Sequence, residues 1–92
     1  MIMTVRHKGL RVYLTTGRAS GLNPDWTGRL EIILSKLNAA AVPHDMAEPR
    51  HRLHRQEGHH PPRYSIRLTA NWRVTFEMED GDVFNLDIED YH

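Results

Sequence analysis

The spacing of the apolar residues changes along this 92-residue chain from a helical period to a period of two. In the first half they recur three or four positions apart, at Trp26, Leu30, Ile33, Leu34 and Leu37. From residue 64 onward they alternate with polar residues, in the runs 64–69, 72–78 and 84–88. A helical stripe predicts a helix with one buried face, whereas alternation predicts half-buried strands. The chain is therefore predicted to be α+β, with helices followed by an antiparallel sheet.

Capping and turn residues predict where these elements begin and end. Apolar residues at helical spacing predict a first helix from Arg6 to Thr16, which Gly17 is suited to end. Asn23-Pro24-Asp25 supplies an N-cap, a first-turn proline and a first-turn acid for a second helix. Asp80-Gly81, between two alternating runs, predicts a tight hairpin. We expect the two N-terminal helices to pack on one face of a small, mainly antiparallel C-terminal sheet, with Phe84, Leu86 and Ile88 on its core side.

Length and composition exclude several classes of protein. A chain of 92 residues has room for one core, so we expect a single domain over 1–92. The absence of cysteine excludes disulfides, thiolate metal sites and a cysteine nucleophile. No apolar run approaches the roughly 20 residues of a membrane helix, and the first eight residues lack the apolar stretch of a secretory signal. We therefore expect a cytoplasmic protein with no membrane partner, no metal and no cofactor.

The charges balance overall but are unevenly distributed. Twelve basic and twelve acidic side chains give a formal net charge of zero, unlike most proteins that hold nucleic acid unaided. Between Arg50 and Arg73 there are six arginines, four histidines and one acid, Glu57, whereas Glu77 to Asp90 contains seven acids and no base. Two interpretations stay open: two surfaces with different environments, one of them suited to phosphate, or strands that pair opposite charges across a sheet.

The polar side of the predicted strands carries groups that could cleave RNA. Alternation places these side chains away from the helices: Arg67, Arg73, Thr75, Asn85 and Asp87. His54 and the terminal Asp90-Tyr91-His92 add proton-transfer groups and a phenol. Cleavage of RNA by its own 2′-hydroxyl needs a base, an acid and positive charge around the phosphorus. Histidine can serve as acid or base near neutral pH, so this set predicts a ribonuclease that needs no metal.

Short stretches along the whole chain resemble, in order, those of one family of bacterial toxins. They are His7-Lys8-Gly9-Leu10, Arg52-Leu53-His54, Tyr64-Ser65-Ile66-Arg67, Ala70-Asn71-Trp72-Arg73-Val74-Thr75-Phe76, Asp80-Gly81-Asp82 and Glu89-Asp90-Tyr91-His92. The ordered set resembles the HigB-type toxins of the RelE/ParE superfamily. The resemblance implies a type II toxin that cuts messenger RNA in the A site of the 70S ribosome. It also implies a helix-turn-helix antitoxin of HigA type, through which alone the toxin would contact operator DNA.

The resemblance also implies a set of site residues. It assigns catalysis to His54, Asp90, Tyr91 and His92, with Asn71 and Arg73 in support. The chemistry of the side chains fits His54 and His92 as the acid and base, in an order left open, with Asp90 orienting a histidine or Tyr91. Arg73 would stabilise the charged transition state, and Arg67 and Arg55 are further candidates for binding RNA phosphates.

One position departs from the family pattern. Where the family commonly has His-Pro-Leu-Lys-Gly, this chain has His54-Arg55-Gln56-Glu57-Gly58, so an acid replaces a lysine. If this position faces the scissile phosphate, Glu57 would repel it. Either Arg55 or Arg63 compensates for the lost positive charge, or the enzyme is slow.

Three alternative functions remain. His51, His54, His59 and His60 could form a metal cluster, although their spacing matches no helix or knuckle ligand set. The chain could resemble the gyrase-poisoning branch of the superfamily, which binds protein and needs no nuclease site. It could also be an inactive relative kept for antitoxin and operator binding. The ending Asp90-Tyr91-His92 favours the nuclease, because a pure binder has no need of it.

Overall fold

The computed structural model describes residues 1–90 and shows two helices followed by four strands. The elements are α1 (Lys8–Thr16), α2 (Thr27–Ala39), β1 (His54–Gln56), β2 (Arg63–Arg67), β3 (Trp72–Glu79) and β4 (Asp82–Asp90). Short 3-10 turns lie at Pro24–Trp26, Pro43–Met46 and Pro49–His51. The predicted α+β class, with helices preceding the sheet, is confirmed. No helix within residues 1–90 is long and apolar enough to cross a membrane.

The four strands form one antiparallel sheet in the order β1-β2-β3-β4. Ile2 and Val5 extend it, because they form isolated parallel bridges with Val83 and Leu86 of β4. The N-terminal segment therefore covers part of the β4 edge, which would otherwise present unpaired backbone groups.

The helix ends follow the capping residues. The Nδ1 atom of His7 accepts a hydrogen bond from the backbone N–H of Leu10 at 3.1 Å, so α1 begins at Lys8 rather than at Arg6. Gly17 ends α1 with a left-handed φ of 80°, as predicted. The side chain of Asn23 accepts from the Asp25 N–H at 2.9 Å, but the turn that follows is 3-10, so α2 begins at Thr27.

The core lies between the helices and one face of the sheet. The predicted stripe of the second helix is buried in full: Trp26, Leu30, Ile33, Leu34 and Leu37. The same core contains the strand residues Ile66, Val74, Phe76, Val83, Leu86 and Ile88. His51 is also fully buried, although the sequence placed it in the basic segment, and its Nδ1 lies 3.2 Å from the carbonyl oxygen of Met46.

The expectation that Phe84 faces the core is wrong. The pairing of β3 with β4 shifts between Thr75 and Glu77, and Asn85 has a positive φ of 52° in the bulge. A bulge inserts one residue and so reverses the alternation on one side of it. Val83 therefore enters the core, whereas Phe84 lies opposite Glu77 and is half-buried.

Two glycines allow α1 to approach the loop that precedes the second helix. A Cβ added to Gly9 would overlap the carbonyl oxygen of Gly21, and a Cβ on Gly21 would lie 2.8 Å from the Cα of Gly9. Both positions therefore require glycine because the two backbones are in direct contact.

Candidate active site

The face of the sheet away from the core contains a cleft of about 380 Å³. Its ionisable lining residues are His54, Glu57, Arg73, Glu89 and Asp90. They come from β1, the turn after it, β3 and β4, so the antiparallel order of the sheet brings together residues far apart in sequence. A larger groove of about 790 Å³ lies between the N-terminal segment and the helices, and apolar side chains form much of its lining. The cleft on the sheet thus offers a histidine, an arginine and carboxylates to a single ligand.

Three of the residues predicted for catalysis or phosphate binding meet in this cleft. His54 is exposed at the start of β1, opposite Ser65 of β2. Asp90 is exposed at the end of β4, opposite Trp72. Arg73 lies one position farther along β3 and lines the same cleft. Tyr91 and His92 fall outside the described residues, so their roles stay predictions.

Arg73 is held on this face by hydrogen bonds. Its Nη1 donates to the Ser65 hydroxyl at 3.4 Å and to the carbonyl oxygen of Arg52 at 3.3 Å. Strand pairing places it opposite Arg67 on one side and Glu89 on the other. A guanidinium oriented in this way is suited to donate hydrogen bonds to a phosphate oxygen.

The other three predicted phosphate-binding residues do not line the cleft. Asn71 is exposed in the turn between β2 and β3, where its backbone N–H donates to the Thr69 hydroxyl at 3.3 Å. Arg67 lines a second depression next to the cleft. Arg55 pairs with Tyr64, whose ring stacks on the buried Phe76, so Arg55 belongs to the opposite face of the sheet. The structure therefore does not bring Arg55 to the site.

Arg63 lies on the side of the sheet where the cleft is. Its Nη2 donates to the Thr75 hydroxyl at 2.9 Å and to Glu89 Oε1 at 3.1 Å. Because Glu57 also lines the cleft, the site holds three carboxylates, and Arg63 partly neutralises that of Glu89. Of the two arginines that could compensate for Glu57, the geometry favours Arg63. This ion pair also joins the basic and acidic segments, so cross-strand pairing explains part of the charge split.

Sequence analysis missed three cleft residues: Gln56, Ser65 and Glu89. Alternation counted forward from Ile88 would have placed Glu89 on the open face. Gln56 gave no such signal, because β1 has only three residues and too few positions to show a period. Ser65 is polar yet buried, a burial that the sequence does not indicate.

Among residues 1–90, no group of three histidine, aspartate or glutamate side chains is arranged to hold a metal ion.

Comparison with known proteins identifies the class to which this fold and cleft belong. Over residues 3–92 the chain matches the family described as the RelE-like toxin of the type II toxin-antitoxin system HigB. It is 33% identical over 92 residues to Endoribonuclease HigB of Proteus vulgaris, and the alignment covers 100% of both chains. Two helices before an antiparallel sheet are consistent with a RelE-like toxin. Within that class, the chain belongs to the HigB-like toxin family, which confirms the resemblance.

Proposed function

We propose that this protein is the toxin of a type II toxin-antitoxin system and cuts messenger RNA on the ribosome without a metal ion. The observation that carries the proposal is the meeting of His54, Arg73 and Asp90 in one cleft of the open sheet face. Membership of the HigB-like family and the name of the Proteus vulgaris relative, an endoribonuclease, support it.

The proposed reaction is an attack within the RNA itself. A base removes the proton of the 2′-hydroxyl, the 2′-oxygen bonds to phosphorus, and the bond from phosphorus to the 5′-oxygen breaks. The products are a 2′,3′-cyclic phosphate and a 5′-hydroxyl, whose proton comes from an acid. His54 and His92 are the candidates for base and acid, in an order left open, and Asp90 or Tyr91 would orient them. Arg73 would stabilise the added negative charge on the phosphorane oxygens.

We expect cleavage to depend on the ribosome. The net charge is zero and the cleft holds three carboxylates, so the free protein gains little from releasing counterions of naked RNA. The ribosome would supply position and much of the binding energy. Cleavage of one message should therefore be at least about tenfold faster on 70S ribosomes than as naked RNA at physiological salt. Equal rates, each abolished by His54→Ala, would rule out the ribosome requirement while leaving the nuclease in place.

The proposed partners follow from the family. A type II toxin has an antitoxin, and we propose one with a helix-turn-helix fold of HigA type that also carries the complex to operator DNA. The proposed compartment is the cytoplasm, where the ribosome and its message are found.

Glu57 favours a second candidate function, a catalytically weak member of the family that acts by binding protein. Its carboxylate lines the cleft where the resembling family has a lysine. An acid there replaces attraction of the scissile phosphate with repulsion. Such a protein would still bind its antitoxin, or would bind gyrase as the other branch of the superfamily does.

Exchanging Glu57 for lysine separates the two functions. If the protein cleaves RNA in this cleft, Glu57→Lys should speed single-turnover cleavage about tenfold or more, equivalent to about 1.4 kcal/mol of barrier. Glu79→Lys is the matched control, because it makes the same charge change at an exposed residue outside the cleft lining. An unchanged rate for both variants would show that Glu57 does not face the phosphate. No cleavage by any form would favour the binding function.

A further inference from the structure

A second depression adjoins the cleft on the same face of the sheet. It measures about 310 Å³ and is lined by Arg52, Arg67, Thr69, Ala70 and Arg73. We refer to these five residues as the arginine depression. Arg73 lines both sites, so the two sites are neighbours on this face of the sheet.

The two sites differ in charge. Three carboxylates line the cleft, whereas the arginine depression is lined by three guanidinium groups and neutral residues. Within residues 1–90, no carboxylate oxygen lies within 4 Å of the guanidinium of Arg52 or Arg67. The depression is therefore a place of concentrated positive charge beside a cleft in which carboxylates outnumber arginines.

The positive charges of these arginines are held close together although their repulsion is unfavourable for the stability of the fold. Arg67 and Arg73 lie directly opposite each other on β2 and β3, and like charges in that arrangement destabilise a sheet. Arg52 has a left-handed φ of 47°, a strained conformation for a residue other than glycine. Strain and like-charge pairing of this kind are typical of sites that bind a ligand of opposite charge.

Arg29 of α2 adds a further positive charge close to Arg67. Its guanidinium donates to the carbonyl oxygen of Arg67 at 3.0 and 2.6 Å and to that of Arg50 at 2.9 Å. Burial, together with the positive charges of Arg50 and Arg67, holds the pKa of Arg29 below its usual value. These bonds also fix the backbone of Arg67, so the depression has a rigid base.

Thr69 adds a neutral hydrogen-bond donor to the lining. Its hydroxyl oxygen accepts from the backbone N–H groups of Asn71 at 3.3 Å and Trp72 at 3.2 Å. The hydroxyl hydrogen is left to be donated outward. Two guanidinium groups with a hydroxyl suit a phosphate, which offers several acceptor oxygens to forked donors.

We propose that the arginine depression binds a backbone phosphate of the message, one that flanks the scissile phosphate in the cleft. Arg52, Arg67 and Thr69 contact this phosphate, and Arg73 lies between it and the scissile one. The depression thereby fixes the register of the RNA strand, because phosphate contacts position a nucleic acid without reading its sequence. This inference rests on the proposed nuclease function and adds a second subsite to it.

The test compares two messages on 70S ribosomes. Both carry a 2′-O-methyl group at the cleavage position, so neither can be cut, and binding is measured without chemistry. In one message the phosphates flanking the scissile one are intact, and in the other they are neutral methylphosphonates. The measured quantity is the Kd of the toxin for each programmed ribosome, for the wild type and for Arg67→Gln, with Arg52→Gln as a second variant.

We expect Arg67→Gln to raise the Kd about tenfold on the intact message and to have little effect on the methylphosphonate message. Arg18→Gln, an exposed arginine elsewhere on the chain, should change neither value. An equal loss on both messages would overturn the proposal, since Arg67 would then act on ribosomal RNA or on the fold. The proposal would also be overturned if neither Arg67→Gln nor Arg52→Gln changed the Kd for either message. Cleavage of an unmodified message by the wild type is measured in parallel, so failure of the nuclease function is seen separately.

Discussion

Deleting residues 90–92 should lower single-turnover cleavage of ribosome-bound message by at least about 100-fold while the protein stays folded. The deletion removes the proposed acid or base His92 together with Asp90 and Tyr91. Within residues 1–90, Ile88 is the last buried apolar residue, and Asp90 is exposed at the end of β4. We therefore expect the free energy of unfolding to fall by no more than about 1 kcal/mol.

A matched pair of substitutions separates catalysis from folding in this prediction. His92→Ala should reproduce most of the loss in rate, whereas His44→Ala, which removes an exposed histidine from the turn after α2, should leave the rate unchanged. Circular dichroism and a urea titration check the fold of each form. A folded truncated protein that cuts message at close to the full rate would show that the terminal residues are an ordinary tail.

Replacing Gly9 with alanine should lower the free energy of unfolding by about 2–3 kcal/mol. The new methyl group would overlap the backbone carbonyl of Gly21, and backbone cannot rotate away as a flexible side chain can. To accommodate it, α1 must move away from the loop that precedes the second helix. Equilibrium urea unfolding followed by tryptophan fluorescence measures the change, because Trp26 lies in the core close to that loop.

Gly28→Ala is the control for this experiment. Gly28 is also a helical glycine, but nothing lies within 4 Å of a Cβ built on it. Alanine there should raise the free energy of unfolding by about 0.5–1 kcal/mol, because it favours the helix and meets no obstacle. Equal effects at Gly9 and Gly28 would contradict the direct contact of the two backbones.

The parts of the fold that depend on local chemistry could be predicted from the sequence. The Gly17 end of α1 and the buried stripe of α2 were confirmed, because each follows from residues within a few positions. Asn23 forms a cap as predicted, but it caps a 3-10 turn, and α2 begins only at Thr27. The Phe84 prediction failed because the bulge at Asn85 depends on how β4 pairs with β3, which alternation within one strand cannot show.

The candidate site could also be predicted only in part, because some of its residues depend on how the strands pair. Alternation pointed to Arg73, and side-chain chemistry with the family resemblance added His54 and Asp90. The sheet brings these three into one cleft. Arg55 lies on the other face. This could not be predicted, because β1 is too short to show which way its side chains alternate. The arginine depression depends on the cross-strand register of Arg67 and Arg73 and on the backbone of Arg52. These are properties of the assembled sheet and not of any one segment.

Because Ile2 and Val5 form bridges with β4, the sheet can be completed only after β4 has been synthesised. Ile2 and Val5 pair with Val83 and Leu86, which follow both helices and the first three strands in the chain. Contacts between distant parts of a chain form only after the intervening segment has been made and closed into a loop. The β4 strand therefore acquires its outer neighbour only after both helices and the other three strands have been made. A copy of the chain that stops before β4 should lack the cleft, because Glu89 and Asp90 of β4 line it.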